Sequence, residues 1–236
     1  MATLFEFLLE GDDEENLAAV GEAALDEVTR IEQMISMHDP TSELARVNRE
    51  AYAKPVAVTR ELFDLLKICR IHHGRTGERF DPCHGTPLPY GIAVDFDDST
   101  RGILFTHSQT RIDLGGYGKG YALDLAAGLI QGVGCQRFLL HGGTSSIHAA
   151  GKWPVALRSP GSNEPLGTIT IDNESLSCSA AGSNGTAVIA SSGQLAEAWS
   201  TAILAAGREG IYDFRYDDII AAAWVDSEIH WIEGQR

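Results

Sequence analysis

Several things are scarce in this sequence, and each shortage removes a class of explanation. No apolar run reaches the roughly eighteen residues that a membrane-spanning helix needs, so no such span is expected. The four cysteines, Cys69, Cys83, Cys135 and Cys178, are far apart and form no CxxC pair. They read as unpaired thiols of a reducing compartment, not as a disulfide framework. His72, His73 and His84 lack the paired ligand spacing of a structural zinc site. Basic residues are few, 18 Lys and Arg against 33 Asp and Glu, for a formal net charge of -15. Most of such a surface repels phosphates, so neither nucleic acid nor an anionic membrane is expected as a partner. The opening MATLFEFLLEGDDEEN has no basic stretch and no cleavage or lipid-attachment pattern, which makes a cytoplasmic protein the simplest expectation. Repeats, low-complexity segments and clear linkers are also missing, so residues 1–236 are read as a single domain.

What is present is an ordinary apolar fraction of 44%, enough for a sizeable core. Thr3 to Leu9 reads as a strand. Asn16 to Met37 reads as a long helix, with Leu17, Val20, Ala24, Val28, Ile31 and Ile35 at helical spacing. Ser42 to Asn48 is a short polar turn or helix, and Thr59 to His73 a second long helix with Thr59 as its cap. A Gly- and Pro-rich loop covers Arg75 to Gly91. Two short strands are expected within Leu104 to Asp113, turning at His107-Ser108-Gln109. Helices follow at Lys119 to Gly132 and Gln194 to Ala206. Strands are expected at Arg137 to His141, Ser145 to Ala149, Pro154 to Arg158, Gly167 to Ile171 and Thr186 to Ala190, with a closing hairpin over Ile219 to Trp231. Strands outnumber helices and come in meander-like groups. The expected class is α+β, with a mixed, largely antiparallel sheet packed with helices.

One stretch stands out, IDLGGYGKGYALD from Ile112 to Asp124. It gathers Gly115, Gly116, Gly118, Gly120 and Lys119 where a strand meets a helix. A helix start offers free N–H groups and partial positive charge, glycine allows close backbone approach, and Lys119 adds a cation. The spacing matches neither GxGxxG of a dinucleotide fold nor GxxxxGK[ST]. By itself the segment fits a phosphate cradle and a tight strand-to-helix turn equally well. Glu197 and Thr201, four apart on one helix face, read by themselves as a solvated face far sooner than as a ligand pair.

In combination, however, the motifs resemble one family. Asp113-Leu114-Gly115-Gly116-Tyr117-Gly118-Lys119-Gly120-Tyr121-Ala122-Leu123-Asp124 is similar to the DLGGxxKGYxxD signature of the ApbE family, the FAD:protein FMN transferases. Met1-Ala2-Thr3 resembles its opening MGT. Arg30-Ile31-Glu32 through Ser42-Glu43-Leu44-Ala45-Arg46-Val47-Asn48 resembles RIE…SELxrlN. Phe80-Asp81-Pro82-Cys83-His84-Gly85 resembles FDPTxG, Gly142-Gly143 followed by Trp153 resembles GG…W, and Ala196-Glu197-Ala198-Trp199-Ser200-Thr201-Ala202 resembles ADAxSTA. The motifs keep the family's order over nearly the whole chain.

The resemblance implies an α+β fold and a magnesium-dependent reaction. FAD's pyrophosphate is cleaved, FMN passes to a threonine of an acceptor protein, and AMP leaves; some members hydrolyse FAD instead. It implies metal ligands at Gly116, Glu197 and Thr201, with Ser200 nearby. It implies FAD contacts from Asp113, Lys119, Phe80, Asp81 and Met1, with His38 at the position of a flavin-stacking ring. Three departures accompany it. Ser177 to Asn184 runs almost directly into Thr186, so the family's HxxDPxTG segment is absent, and no histidine lies between His148 and His230. The family's metal-binding aspartate is Glu197, and the threonine of FDPT is Cys83. With the usual histidine missing, no catalytic base is assigned. A second reading therefore stands beside the first: a catalytically degenerate relative that binds a flavin or adenine nucleotide, or acts as a scaffold.

Overall fold

The computed structural model describes residues 3–211 and 218–233. β1 (Phe5–Glu10) leads through an acidic turn into α1 (Glu14–Ile35). Asp13 caps α1, accepting from the Asn16 N–H at 3.1 Å, and Glu14 and Glu15 complement the helix dipole. Val20, Ala24, Val28, Ile31 and Ile35 form its buried stripe. The helix ends at Ile35, short of Met37, because Ser36 turns extended and its hydroxyl accepts the N–H groups of His38 and Asp39. α2 (Glu43–Glu50) and α3 (Arg60–Arg75) follow. Thr59 caps α3 as expected, accepting from the Leu62 N–H.

A small sheet contains β2 (Val56–Ala57), β3 (Val94–Asp97) and β4 (Gly102–Phe105), in the order β2-β4-β3, with the one-turn α4 (Tyr90–Ala93) leading into β3. Here one expectation is corrected. The hairpin turns at Asp98–Arg101, not at His107–Gln109. Asp97 stabilises that turn, accepting from the Ser99 N–H at 2.9 Å and from the Ser99 and Thr100 hydroxyls. Beyond β4 the chain is irregular. Ile112 joins no strand; the Asn48 side-chain amide takes a strand neighbour's place. Asn48 Nδ2 donates to the Ile112 carbonyl and Asn48 Oδ1 accepts from the Ile112 N–H, both at 2.8 Å.

The rest of the chain builds the main sheet. After α5 (Gly118–Gly132) come β5 (Arg137–Gly142), β6 (Ser146–Ala150), β7 (Lys152–Arg158), β8 (Pro165–Asp172), β9 (Ser175–Ala181) and β10 (Asn184–Ala190). α6 (Gly193–Gly210), β11 (Ala221–Val225) and β12 (Ile229–Glu233) complete it. The seven-stranded order is β1-β5-β6-β9-β10-β11-β12, while β7 and β8 pair separately. Every strand pairing among the described residues is antiparallel, and the class is α+β. β9 went unforeseen: serines at alternate positions hid a strand.

Period-two alternation sorts the main sheet's faces. Phe138 and Leu140 turn toward α1 and α5, while Leu139, Ile147, Leu176 and Val225 turn toward β7 and β8. α6 covers Val188, Ala222 and Trp224 on the helical face. The helices carrying the glycine-lysine segment and the ADAxSTA-like segment thus lie on one side of the sheet.

Candidate functional site

The glycine-lysine segment starts at Asp113, whose Oδ1 accepts the Gly115 N–H at 2.7 Å. Its backbone is held from outside, since the Asp113 N–H donates to the Pro82 carbonyl at 2.8 Å. Asp81 in turn orders the FDP-like loop, accepting from the Cys83 and Tyr90 N–H groups through Oδ1. Tyr117, fully buried, occupies the cap position of α5, and no side chain caps that helix start. Its ring packs on Phe80 with centroids 5.2 Å apart, so Phe80 meets the segment through Tyr117. The Tyr117 hydroxyl donates to Gln194 Oε1 at 2.9 Å and lies 3.1 Å from His72 Nδ1. Burial lowers His72 to about 4, with Arg75 adding to the effect, so near neutrality it is an uncharged imidazole.

The glycines divide by task. A Cβ on Gly120 would fall 2.3 Å from the Gly193 carbonyl oxygen, and one on Gly193 would fall 2.7 Å from that of Gly120. These two let α5 and α6 cross backbone to backbone. Gly116 instead faces the second helix's side chains: its Cβ would lie 3.5 Å from Thr201 Oγ1. At the crossing, Lys119 Nζ is 3.2 Å from Glu197 Oε1, with side chains 18% and 2% exposed. Ser146 donates to the same oxygen at 2.5 Å. Among the described residues Glu197 Oε2 is buried without a hydrogen-bond partner. Burying a carboxylate oxygen without a hydrogen-bond partner is costly even when its twin is ion-paired, and a cation beside it would relieve that cost.

The structure therefore brings together Gly116, Lys119, Glu197 and Thr201, with Asp113 at the head of the segment. Ser200 is adjacent but turned to the sheet. Its hydroxyl meets Ser177 and Ser179 at 2.9 Å each and donates to the Glu197 carbonyl, while Thr186 donates to the Ser200 carbonyl. His38 is exposed in the turn after α1, where its N–H meets Ser36. Met1 lies outside the described residues.

Sequence reasoning missed the polar seam behind the site. Ser146, Ser175, Ser177, Thr186, Glu197 and Ser200 are all buried. Asp124 accepts the Gly193 N–H at 2.7 Å and the Gln194 N–H at 3.0 Å, and His148 Nδ1 lies 3.0 Å from both Asp124 Oδ1 and Ser175 Oγ. Two signals were available. Serine at every second position of Ser175-Leu176-Ser177-Cys178-Ser179 marks one strand face. Asp124 is a lone carboxylate in the apolar middle of a helix.

On the other side of the sheet end, a cavity of about 670 Å³ opens beneath β7, lined in part by His141, Gly143, Thr144, Ser145 and Ser179. It adjoins the site through Ser145, whose hydroxyl is 3.4 Å from Ser146, and through Gly142, whose Cβ would meet that of Lys119 at 3.6 Å. Burial pushes the Cys178 thiol beside it up to about 12, and burial with nearby Asp81 does the same to Cys83. Neither is poised as a nucleophile.

Among the described residues no group of three or more His, Cys, Asp or Glu can hold a metal. Any metal here must draw on hydroxyl and backbone oxygens beside Glu197. That donor set, one carboxylate with hydroxyl and carbonyl oxygens, suits a hard divalent cation.

A family model described as the ApbE family matches residues 1–90 and 88–186. A FAD:protein FMN transferase of Chlamydia muridarum (strain MoPn / Nigg) is 29% identical over 53% of this chain and 49% of its own length. One from Klebsiella pneumoniae (strain 342) is 21% identical over 63% of this chain and 55% of its own. The matched part thus spans about half the length of these relatives. The crystal structure of an ApbE protein from Thermotoga maritima superposes with a TM-score of 0.81 at 18% identity, covering 98% of this chain and 97% of that one.

Proposed function

Since the chain belongs to the ApbE family, we propose that it is a flavin transferase that cleaves the pyrophosphate of FAD, passes FMN to a threonine of an acceptor protein and releases AMP. The observation that carries this reading is the buried Glu197 carboxylate, one oxygen on Lys119 and the other without a partner. Phosphoryl transfer needs positioning and charge neutralisation above all, and this corner offers both. Lys119 and the start of α5, which no side chain caps, take the pyrophosphate. Asp113 orders the loop in front of it. The dinucleotide extends along Gly142 and Gly143 into the cavity beneath β7. Met1 and His38 remain proposed flavin contacts, and Phe80 and Asp81 act through the loop and ring they hold.

Glu197, Thr201 and the Gly116 carbonyl would hold magnesium, with Ser200 fixing the helix that carries the first two. Bound there, the ion would offset charge gathering on the phosphate oxygens as the bridging P–O bond breaks. Proton removal from the acceptor falls to a group other than the absent HxxDP histidine.

One observation favours a second reading. β9 and β10 join through a tight turn with Gly182 at φ 62°, so the chain carries no HxxDPxTG segment between these strands. A binder without turnover needs no such segment. Incubation with FAD and Mg²⁺, with and without an acceptor peptide, separates the two: the transferase releases AMP and labels the peptide. FAD-dependent thermal stabilisation with no AMP supports the binder.

A further inference from the structure

The two halves of the site sit on different helices. Lys119 is in the first turn of α5, with Gly116 just before it, while Glu197 and Thr201 lie in the N-terminal half of α6. They meet only if the start of α6 is fixed against α5 in distance, rotation and axial position. The Gly120–Gly193 contact sets the distance. Smooth backbone against smooth backbone does little to prevent sliding or rotation.

Asp124 supplies the missing constraint. It lies on α5 and accepts the first two N–H groups of α6, Gly193 to Oδ1 at 2.7 Å and Gln194 to Oδ2 at 3.0 Å. The helix's own cap, Ser192, accepts the next one, from Leu195. A two-oxygen grip on consecutive N–H groups fixes rotation as well as position. The same carboxylate is braced from the sheet by His148, whose Nδ1 also meets Ser175. His148 and Ser146 occupy alternate positions on the same face of β6. One holds Asp124 and the other holds Glu197.

We propose that Asp124 is a positioning residue of the site: its carboxylate sets α6 so that Glu197 and Thr201 face Gly116 and Lys119 at the spacing a divalent cation requires. The proposal rests on the cation-assisted reading above, but its test does not depend on turnover. A slip of one residue along α6 would move Glu197 by about 1.5 Å, and errors of about 1 Å cost roughly a hundredfold at a reacting centre.

The experiment compares Asp124→Ala, Asp124→Asn and Ser192→Ala with the unaltered protein. Ser192→Ala removes a cap from the same helix end without touching the grip from α5. Four quantities are read: Mn²⁺ affinity by titration of the free ion, the Mg²⁺ dependence of AMP release, its FAD KM, and the melting temperature. Asp124→Ala should weaken Mn²⁺ binding and raise the half-saturating Mg²⁺ at least tenfold, with FAD KM within about threefold. Asp124→Asn, keeping one acceptor oxygen, should fall between. Ser192→Ala should lower the melting temperature and leave the metal dependence unchanged. Equal metal affinity in Asp124→Ala and the unaltered protein would reduce Asp124 to a helix cap and overturn the proposal. So would an unaltered protein that binds no Mn²⁺. If Mn²⁺ binds in the expected order while no variant releases AMP, the positioning role stands and the transferase reading falls.

Discussion

Glu197 is a buried carboxylate set against a lysine and a serine, with its second oxygen unpartnered among the described residues. Stability alone does not explain it, because a buried ion pair is often matched or exceeded by apolar residues of the same volume. Glu197→Ala should therefore lower AMP release by at least about a hundredfold, and a Mg²⁺ titration of turnover checks it. Glu197→Asp, which restores the family's usual side chain, should retain activity. His72 shows the same pressure in a neutral group. Burial first, then Arg75, lowers it to about 4 from the ordinary 6.5. Its folded-state value lies below the unfolded one, so only the unfolded chain takes up the proton between those limits. The associated stability is fully present above about pH 6.5 and is lost as pH falls toward 4. Between pH 7 and pH 5 the loss should be about 2 kcal/mol. His72→Gln keeps a donor for Tyr117 but does not titrate. Its urea midpoint should fall less than the parent's over that interval.

At the scale of elements, the decisive event is the crossing of α5 and α6. Gly120→Ala would drive a methyl group into the Gly193 carbonyl. We expect a loss of about 3 kcal/mol, at the upper end for overpacking, seen as a lower denaturation midpoint. Gly128→Ala on the same helix has open space at its Cβ and should be neutral or slightly stabilising. Elements with conventional signals were legible from sequence. α1 and α3 showed helical spacing, and α3 carried Thr59 as its cap. β9 was not, because its inward positions are serines, and inward polar residues mimic a loop until the partners across the interface are known. Ser177→Ala should cost about 1 kcal/mol in a denaturation midpoint, since it leaves Ser200 one partner, Ser179, on that strand. The Asp97 turn was misplaced for the opposite reason: two polar stretches competed, and only side-chain bonds show which one turns the chain.

For the whole molecule, sequence order carried the site further than residue type did. Gly116 and Thr201 are far apart in the chain, and nothing in their spacing says that they touch; the ordered motifs implied it, and the helix crossing accounts for it. The serine seam and the Asp124 grip were beyond that reach because they depend on contacts between elements. A final property belongs to the molecule as a unit. With a net charge of -15, the field at a distance repels an anionic dinucleotide, whereas the site proposed at Lys119 and the α5 start would attract it only at close range. Salt acts on these unequally. At about 0.01 M the screening length is about 30 Å, so the whole surface is felt; at about 0.15 M it is about 8 Å and only the nearest charges count. Raising salt over that range should therefore speed FAD association several-fold, measured by stopped-flow flavin fluorescence without Mg²⁺. Dissociation, governed by contacts already formed, should change less. Lys119→Ala should slow binding at high salt while leaving the sign of the salt effect intact. A protein whose association slows as salt rises would have its approach dominated by a local basic surface, contrary to this charge balance.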